Sequence, residues 1–299
     1  MSIGVTLVTG ATGQQGGAVA RALLAAGRTV RALTRDFARA ETLIDAGARV
    51  VVGDMTVSEQ MKRACQGVDC VFLVGTPYAD GPEAEWQQLK TCIDAVRDAK
   101  VRHVVYSSVQ RAADLNDVPH YAQKYRAEEY LQASGLDWTL LRPVFFMDNF
   151  GADALAGNLL AGRLHAPMPP HIATQLVAVE DIGRAAATVL AAPEAWTGKT
   201  LDLAGDALTW EEIAAAIGTA IGRTVEFYPL PPEWVAESMG ADYAAYYDWL
   251  WKEGFTAGVE GMGKALGFRP TDFANYLSQA RWTLDLKIEL EVHSPRSFS

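Results

Sequence analysis

The stretch from Val5 to Gly27, VTLVTGATGQQGGAVARALLAAG, constrains the fold more than any other part of the chain. A β-branched run enters a turn with glycines at 10, 13, 16 and 17, and an Ala- and Leu-rich amphipathic segment follows at once. Gly10 can take the tight turn, Gly13 has no Cβ to block an approaching group, and Gly16 or Gly17 lets the helix pack closely on the sheet. Free backbone N–H groups then meet the positive end of a helix dipole, the combination that holds a dinucleotide's pyrophosphate. Because strand, glycine turn and helix occur in immediate succession, the turn reads as a binding fingerprint rather than a chance cluster.

The same alternation continues. Short β-branched runs at Val5–Thr9, Thr29–Thr34, Arg49–Gly53, Cys70–Gly75, His103–Ser107 and Trp138–Leu141 are separated by amphipathic segments such as Ala18–Ala26, Ala84–Ala99 and Tyr121–Ala133. This rhythm predicts an α/β fold, a Rossmann-type doubly wound parallel sheet. After Arg142 and Pro143 it changes: two long Ala-rich helices, Val179–Ala192 and Trp210–Ile221, precede a Pro-rich hinge at Pro229, Pro231 and Pro232. An aromatic cluster of Trp234, Tyr243, Tyr246, Tyr247, Trp249, Trp251 and Phe255 follows. The expectation is a dinucleotide-binding domain over 1–150 and a smaller C-terminal α/β substrate lobe over 151–299, with about 173–205 returning to the sheet. The polar tail from Glu291 to Ser299 is expected to be loosely held.

With 49% hydrophobic residues in 299, the chain can bury one large core plus a smaller lobe. Its net charge of −10 excludes a surface built to neutralise phosphate backbones, so no nucleic-acid partner is expected. Cys65, Cys70 and Cys92 have no zinc-like spacing and read as reduced core thiols, with no metal site. No uncharged apolar run reaches the roughly 18 residues of a membrane span, and no secretory pattern precedes the first strand, so the expected location is cytoplasmic.

The end of the second strand tests which dinucleotide is preferred, because an acidic residue there binds the ribose 2′-hydroxyl of NAD. The sequence reads RALTRD, with Arg35 at the strand end and Asp36 after it. A guanidinium suits a 2′-phosphate and a carboxylate repels one, so NADP is expected, with Asp36 keeping NAD open. Asp54 falls where an adenine contact would lie. Gly75 and Thr76 could pass under the adenosine ribose and pyrophosphate, or be ordinary loop residues.

TGATGQQGG near the start, GDMTV after the third strand, HVVYSS on the fifth, HYAQK opening the next helix, SGLDWTLLRPVFFMDN, VAVEDIG and FRPTDF together resemble the NmrA-like family of atypical short-chain dehydrogenases, which is similar to the isoflavone reductases. The resemblance implies a Rossmann domain that prefers NADP and a smaller lobe forming a cleft over the nicotinamide. It implies reductases of quinones and related aromatics, or proteins that bind the dinucleotide and report on it to a protein partner without turning it over. The cofactor set then extends over Gly10, Thr12, Gly13, Gln15, Gly16, Arg35, Asp54, Met55, Gly75, Thr76, Ser107, Ser108, Lys124, Pro143 and Phe146.

A typical short-chain dehydrogenase carries a Ser after strand five and YxxxK on the following helix. Here the strand ends in Ser107 and Ser108, and the helix opens His120, Tyr121, Ala122, Gln123, Lys124, so a histidine stands four residues before the lysine. Tyr121, three before it, shares its face in a rotated position. On the resemblance Lys124 would hydrogen-bond the nicotinamide ribose, and its charge would favour an oxyanion nearby. His120 is either a proton donor or a helix-start histidine satisfied by backbone.

The missing tyrosine favours some acceptors over others. Reducing a simple ketone creates a strongly basic alkoxide that needs an acid in place, whereas a quinone gives a phenolate-like anion with a pKa of about 10. The expected activity is therefore NADPH-dependent hydride transfer to a quinone or other planar aromatic carbonyl compound. The alternative is a non-catalytic NADP(H) sensor acting through a protein partner. Phe146, Met147, Asn149, His165, Met168 and Tyr246 are candidate substrate contacts, or the lobe's own core. Asn149 could orient a substrate or cap a helix spanning Asn149–Leu160. A homo-oligomer stays open.

Overall fold

The computed structural model describes residues 4–76, 81–254 and 258–293. The chain divides into two compact units, Met1–Pro143 with Val179–Leu203, and Val144–Ala178 with Ala204–Ser299.

In the first unit β1 (Val5–Val8), α1 (Gln14–Ala25), β2 (Thr29–Thr34), α2 (Glu41–Asp45), β3 (Arg49–Val52), α3 (Ser58–Cys65), β4 (Cys70–Leu73), α4 (Pro82–Asp98), β5 (His103–Ser107), α5 (Pro119–Gln132) and β6 (Trp138–Pro143) follow one another. In chain order β7 (Phe145–Phe146), α6 (Asp153–Leu160), β8 (Arg163–Ala166) and β9 (Thr174–Val177) belong to the second unit. Then α7 (Val179–Ala191) and β10 (Lys199–Leu203) complete the first. Its sheet has seven strands in the order β10-β6-β5-β4-β1-β2-β3, every neighbouring pair parallel. This is the doubly wound sheet of a Rossmann-like fold. Val8 pairs with Ala32 on one side and Phe72 on the other, so β1 and β4 meet where the strand order reverses. Ligands of such sheets bind outside the carboxyl ends of the strands at that reversal.

The central strands are buried on both faces because α1 packs with α7 while α3, α4 and α5 pack in series. All four residues of β4 and all five of β5 are buried, whereas Arg49 and Val52 on the edge strand β3 are exposed. Gly183 sets the approach of α7 to α1, since a Cβ there would lie 2.7 Å from the carbonyl oxygen of Ala18. Cys65, Cys70 and Cys92 are buried free thiols, and burial pushes each above the ordinary thiol pKa.

The second unit adds β11 (Asp206–Leu208), α8 (Trp210–Ile221), β12 (Glu226–Pro229), α9 (Pro232–Ser238), α10 (Ala241–Glu253), α11 (Val259–Leu266), α12 (Phe273–Gln279) and α13 (Arg281–His293). Its strands form a three-stranded sheet, β11-β9-β7, and a parallel pair, β12-β8. The helix α8 starts at a capping box, with Thr209 accepting from the Glu212 N–H and the Glu212 carboxylate accepting from Thr209. Its core gathers Met147, Phe150, Met168, Trp210, Ile213 and Phe273. The helix expected over Asn149–Leu160 is broken here: Met147–Gly151 is a 3-10 turn, Ala152 is extended, and the helix proper begins at Asp153. The break follows from packing. Phe150 is buried against Phe145, Trp210 and Phe273, and a Cβ on Gly151 would lie 2.9 Å from Cγ of the Trp282 indole. Asn149 therefore does not cap that helix; its carbonyl accepts the Ala152 N–H.

Among the described residues no helix is long and apolar enough to cross a membrane. Phe255 and residues 294–299 of the expected aromatic cluster and tail lie outside the described residues.

Candidate functional site

The glycine turn is held open by its neighbours. Thr9 donates from its hydroxyl to the carbonyl of Val74 at 3.1 Å and accepts the Val74 N–H at 2.8 Å, fixing the gap between the ends of β1 and β4. Gly10 has φ of 57°, a conformation that L side chains rarely adopt. The Gly13 N–H donates to the Gly10 carbonyl at 2.9 Å, and α1 begins at the next residue. At Gly16 a Cβ would overlap the carbonyl of Gly10 and lie 2.6 Å from that of Thr9, so no other residue fits there without opening the turn.

This end of α1 has no side-chain cap and no acidic residue in its first turn. Among the described residues the N–H groups of Gln14, Gln15 and Gly16 have no acceptor, and Gly13 and Gln14 are exposed. Three unpaired donors at the positive end of a helix suit a pyrophosphate, and the site fits a dinucleotide on this geometry.

Beside it, Arg35 is exposed at the end of β2 and makes no hydrogen bond among the described residues. Asp54, after β3, accepts from the N–H and hydroxyl of Thr56 at 2.8 and 2.7 Å. Those two bonds hold its carboxyl below the usual value, with a smaller contribution from the nearby Arg35 charge. Met55 is half-buried and packs on the first unit's core.

At the ends of β4 and β5 the site is built from side chains. Ser107, on β5, donates to the Gln15 amide oxygen at 2.6 Å and so ties the strand to the first turn of α1. Ser108 donates its N–H to Leu141, and its buried hydroxyl lies beside that of Tyr106. Lys124, on α5, forms an ion pair with Glu85 of α4, whose side chain is wholly buried. One Glu85 oxygen takes the ammonium and the other, Oε2, is buried without a partner. Tyr106, on β5, is fully buried. Burial pushes its phenol well above the ordinary value, and the charges of Glu85 and Glu128 push it the same way.

Glu85 and Gln88 are residues the sequence reading passed over. Gln88 takes both backbone groups of Thr76, accepting its N–H at 3.2 Å and donating to its carbonyl at 3.3 Å, which carries the order of β4 past its last residue. Gly75 has a reason of its own: a Cβ there would lie 3.0 Å from Cγ of both Glu85 and Leu89. The signal for Glu85 was present, because Glu85, Leu89, Cys92 and Val96 recur at helical spacing as one buried stripe of α4.

Of the remaining expected residues, His120 lies edge-on to Tyr121, with ring centroids 5.0 Å apart, one turn before Lys124, and Tyr121 is buried. Pro143 is buried and its carbonyl accepts the Gln110 N–H. In the second unit Met147 and Met168 are core residues, and half-buried Tyr246 packs on that core beside Tyr247. His165 is stacked on Tyr228, its register partner across β8 and β12, and half-buried Phe146 lies on β7. Asn149 is exposed.

A sequence profile described as the NmrA-like family matches residues 4–258. The chain belongs to the NmrA-like family. Within it, this NmrA-like chain is 32% identical over 234 residues to an NAD(P)H azoreductase of Xenophilus azovorans, covering 78% of this chain and 79% of that protein. Among solved structures it resembles the triphenylmethane reductase of Citrobacter sp., complexed with NADP(H), at 26% identity and a TM-score of 0.80, over 93% of this chain and 99% of that one. It also resembles an NADPH-dependent quinone oxidoreductase of Escherichia coli, complexed with NADPH, at 25% identity and a TM-score of 0.79, over 92% and 98% of the two chains.

Proposed function

We propose that this chain is a reductase that binds NADPH in preference to NADH and delivers hydride to a quinone or another planar, delocalised aromatic acceptor. The observation that carries the reading is the α1 end, with three unpaired N–H donors and no acid in its first turn, beside an exposed Arg35 at the end of β2. The NADPH-linked relatives, acting by their names on an azo compound, a triphenylmethane dye and a quinone, support the same class of acceptor.

When bound, NADPH supplies a hydride from the nicotinamide C4. The chain's own groups hold and orient. Gly10 and Gly16 let the turn close, Gly13 leaves room for the pyrophosphate, the N–H groups at 14–16 bind it, and Arg35 pairs with the 2′-phosphate. Lys124 has three N–H donors; one goes to Glu85 and two are left for ribose hydroxyls. Pairing with a buried carboxylate makes Lys124 and Glu85 together electrically neutral, and no tyrosine occupies the position four residues before Lys124. Such a site gives little help to a nascent alkoxide. It suffices for acceptors that spread the added electron pair over a ring system, whose anion takes a proton from water or His120, or which, as carbocations, need no proton at all. Phe146, Asn149, His165 and Tyr246 are the proposed substrate contacts of the second unit. Three buried free thiols suit a reducing compartment, and we place the protein in the cytoplasm on that ground.

The test is steady-state oxidation of NADPH and NADH against a panel of quinones, an azo dye and a triphenylmethane dye. The expected result is turnover of at least one planar acceptor with a lower KM for NADPH. Tight NADPH binding without turnover of any of them would replace the enzyme by a dinucleotide sensor, and absence of NADPH binding would overturn both.

A further inference from the structure

The turn that carries Arg35 is organised by one buried hydroxyl. Thr34, the last residue of β2 and only 6% exposed, donates to the Asp36 carbonyl at 3.0 Å and accepts the Asp36 N–H at 3.1 Å. It also lies 3.3 Å from the Thr12 hydroxyl in the glycine turn. A threonine hydroxyl has one proton and two lone pairs. Its proton is used on Asp36 and one lone pair on the Asp36 N–H, so Thr12 must be the donor to the other lone pair. Thr34 is therefore satisfied on three sides, and it ties the pyrophosphate turn to the loop that faces the adenosine ribose.

The consequence falls on Asp36. A carboxylate just after this strand is the group that would take a ribose 2′-hydroxyl and repel a 2′-phosphate. Here Asp36 directs Oδ1 at the N–H of Ala38, at 3.0 Å, and so binds its own loop, while Arg35 stays exposed and unpaired. The sequence places a cation and an anion side by side at this point, and the turn decides which of them is presented.

We infer that Thr34 is a positioning residue for dinucleotide selectivity: by holding both backbone groups of Asp36, its hydroxyl turns the carboxylate away and leaves Arg35 to face the 2′-phosphate. The inference rests on the proposed preference for NADPH and names what sets it. Loss of the hydroxyl frees Asp36 to rotate towards the ribose, which penalises NADPH and leaves NADH unharmed. Both Asp36 backbone groups lie in an exposed loop where water can replace the lost partner, so the substitution is compatible with the fold.

The experiment measures dissociation constants of NADPH and NADH by fluorescence titration of the full chain, for wild type, Thr34→Val, Thr34→Ser and Arg35→Ala. Thr34→Val is expected to lower the NADPH-to-NADH affinity ratio about tenfold, the scale of one charge-assisted contact, with NADH binding unchanged or tighter. Thr34→Ser, which restores the hydroxyl, is expected to keep the wild-type ratio. A Thr34→Val protein that weakens both cofactors equally, or keeps the ratio while Arg35→Ala collapses it, overturns the inference and leaves the NADPH reading intact. A wild type with no preference for NADPH overturns both.

Discussion

The two sides of the first unit's ligand-facing edge are made by different means. Around β1 and the start of α1 the shape is set by backbone, a positive φ at Gly10, a missing Cβ at Gly16 and three unpaired N–H groups, with the Thr9, Thr12 and Thr34 hydroxyls bracing its margin. Around β4, β5 and α5 it is set by side chains that reach between elements, Lys124 to Glu85 and Ser107 to Gln15. The first side is a shape that many cofactors with a pyrophosphate would fit. The second is an arrangement of side chains, each of which depends on a partner from another element. The sides also differ in how they fail, because a backbone shape is lost by adding atoms and a charge pair by removing one partner.

Removing the Lys124 charge is expected to have the largest effect. Lys124→Met leaves Glu85 buried without a counter-ion, and breaking a buried pair from one side costs about 3–5 kcal/mol. Urea unfolding of Lys124→Met and of the double variant Glu85→Leu/Lys124→Met separates stability from activity. The double variant is expected to recover most of the stability but not the turnover. If it recovered both, the pair would be structural only. On the backbone side, Gly16→Ala should cost about 3 kcal/mol through the overlap with Gly10 and remove NADPH binding in the same step. Gly13→Ala, whose added Cβ would sit 3.3 Å from the Gly10 carbonyl, should be milder on both counts. Equal effects at the two positions would break the account of the turn.

The smallest effect is electrostatic. Thr56 holds the Asp54 carboxyl below its ordinary pKa of 3.8, so this loop gains stability above that value and loses it as pH falls through the depressed folded pKa. Thr56→Ala, which removes the hydroxyl bond but not the N–H, should flatten the fall in unfolding free energy between neutral pH and pH 3. An unchanged acid limb would mean that solvent already satisfies Asp54.

This contrast also explains what could be read from residues alone. The glycine turn was legible because its demands are local: four glycines in eight residues, a β-branched run before and an Ala-rich helix after. The strand rhythm placed the sheet for the same reason, although the short helices Glu41–Asp45 and Ser58–Cys65 were not anticipated. Glu85 was passed over because a carboxylate reads as surface, and only its place in the stripe with Leu89, Cys92 and Val96 marks it as internal. The buried stripe of α5, Tyr121, Ala127, Glu128 and Leu131, hides in the same way, since a carboxylate sits inside it. Glu128 finds its partner in Arg142, with Nε 2.9 Å from Oε1, and that pairing spans two elements no local pattern connects. In the second unit the expected helix over Asn149–Leu160 missed the break at Gly151, which Trp282 imposes from far along the chain.

The clearance above Gly75 has one more consequence, for anyone screening random variants of this protein. A Cβ at 75 would press on Glu85 and Leu89, which must give by a few tenths of an ångström to admit it, and any strain on Glu85 is passed to its ion pair with Lys124. Position 75 would then score as catalytic in a library although it carries no reactive group. Silence at that position would be the surprise, and a compensating change at 89 the telling second hit.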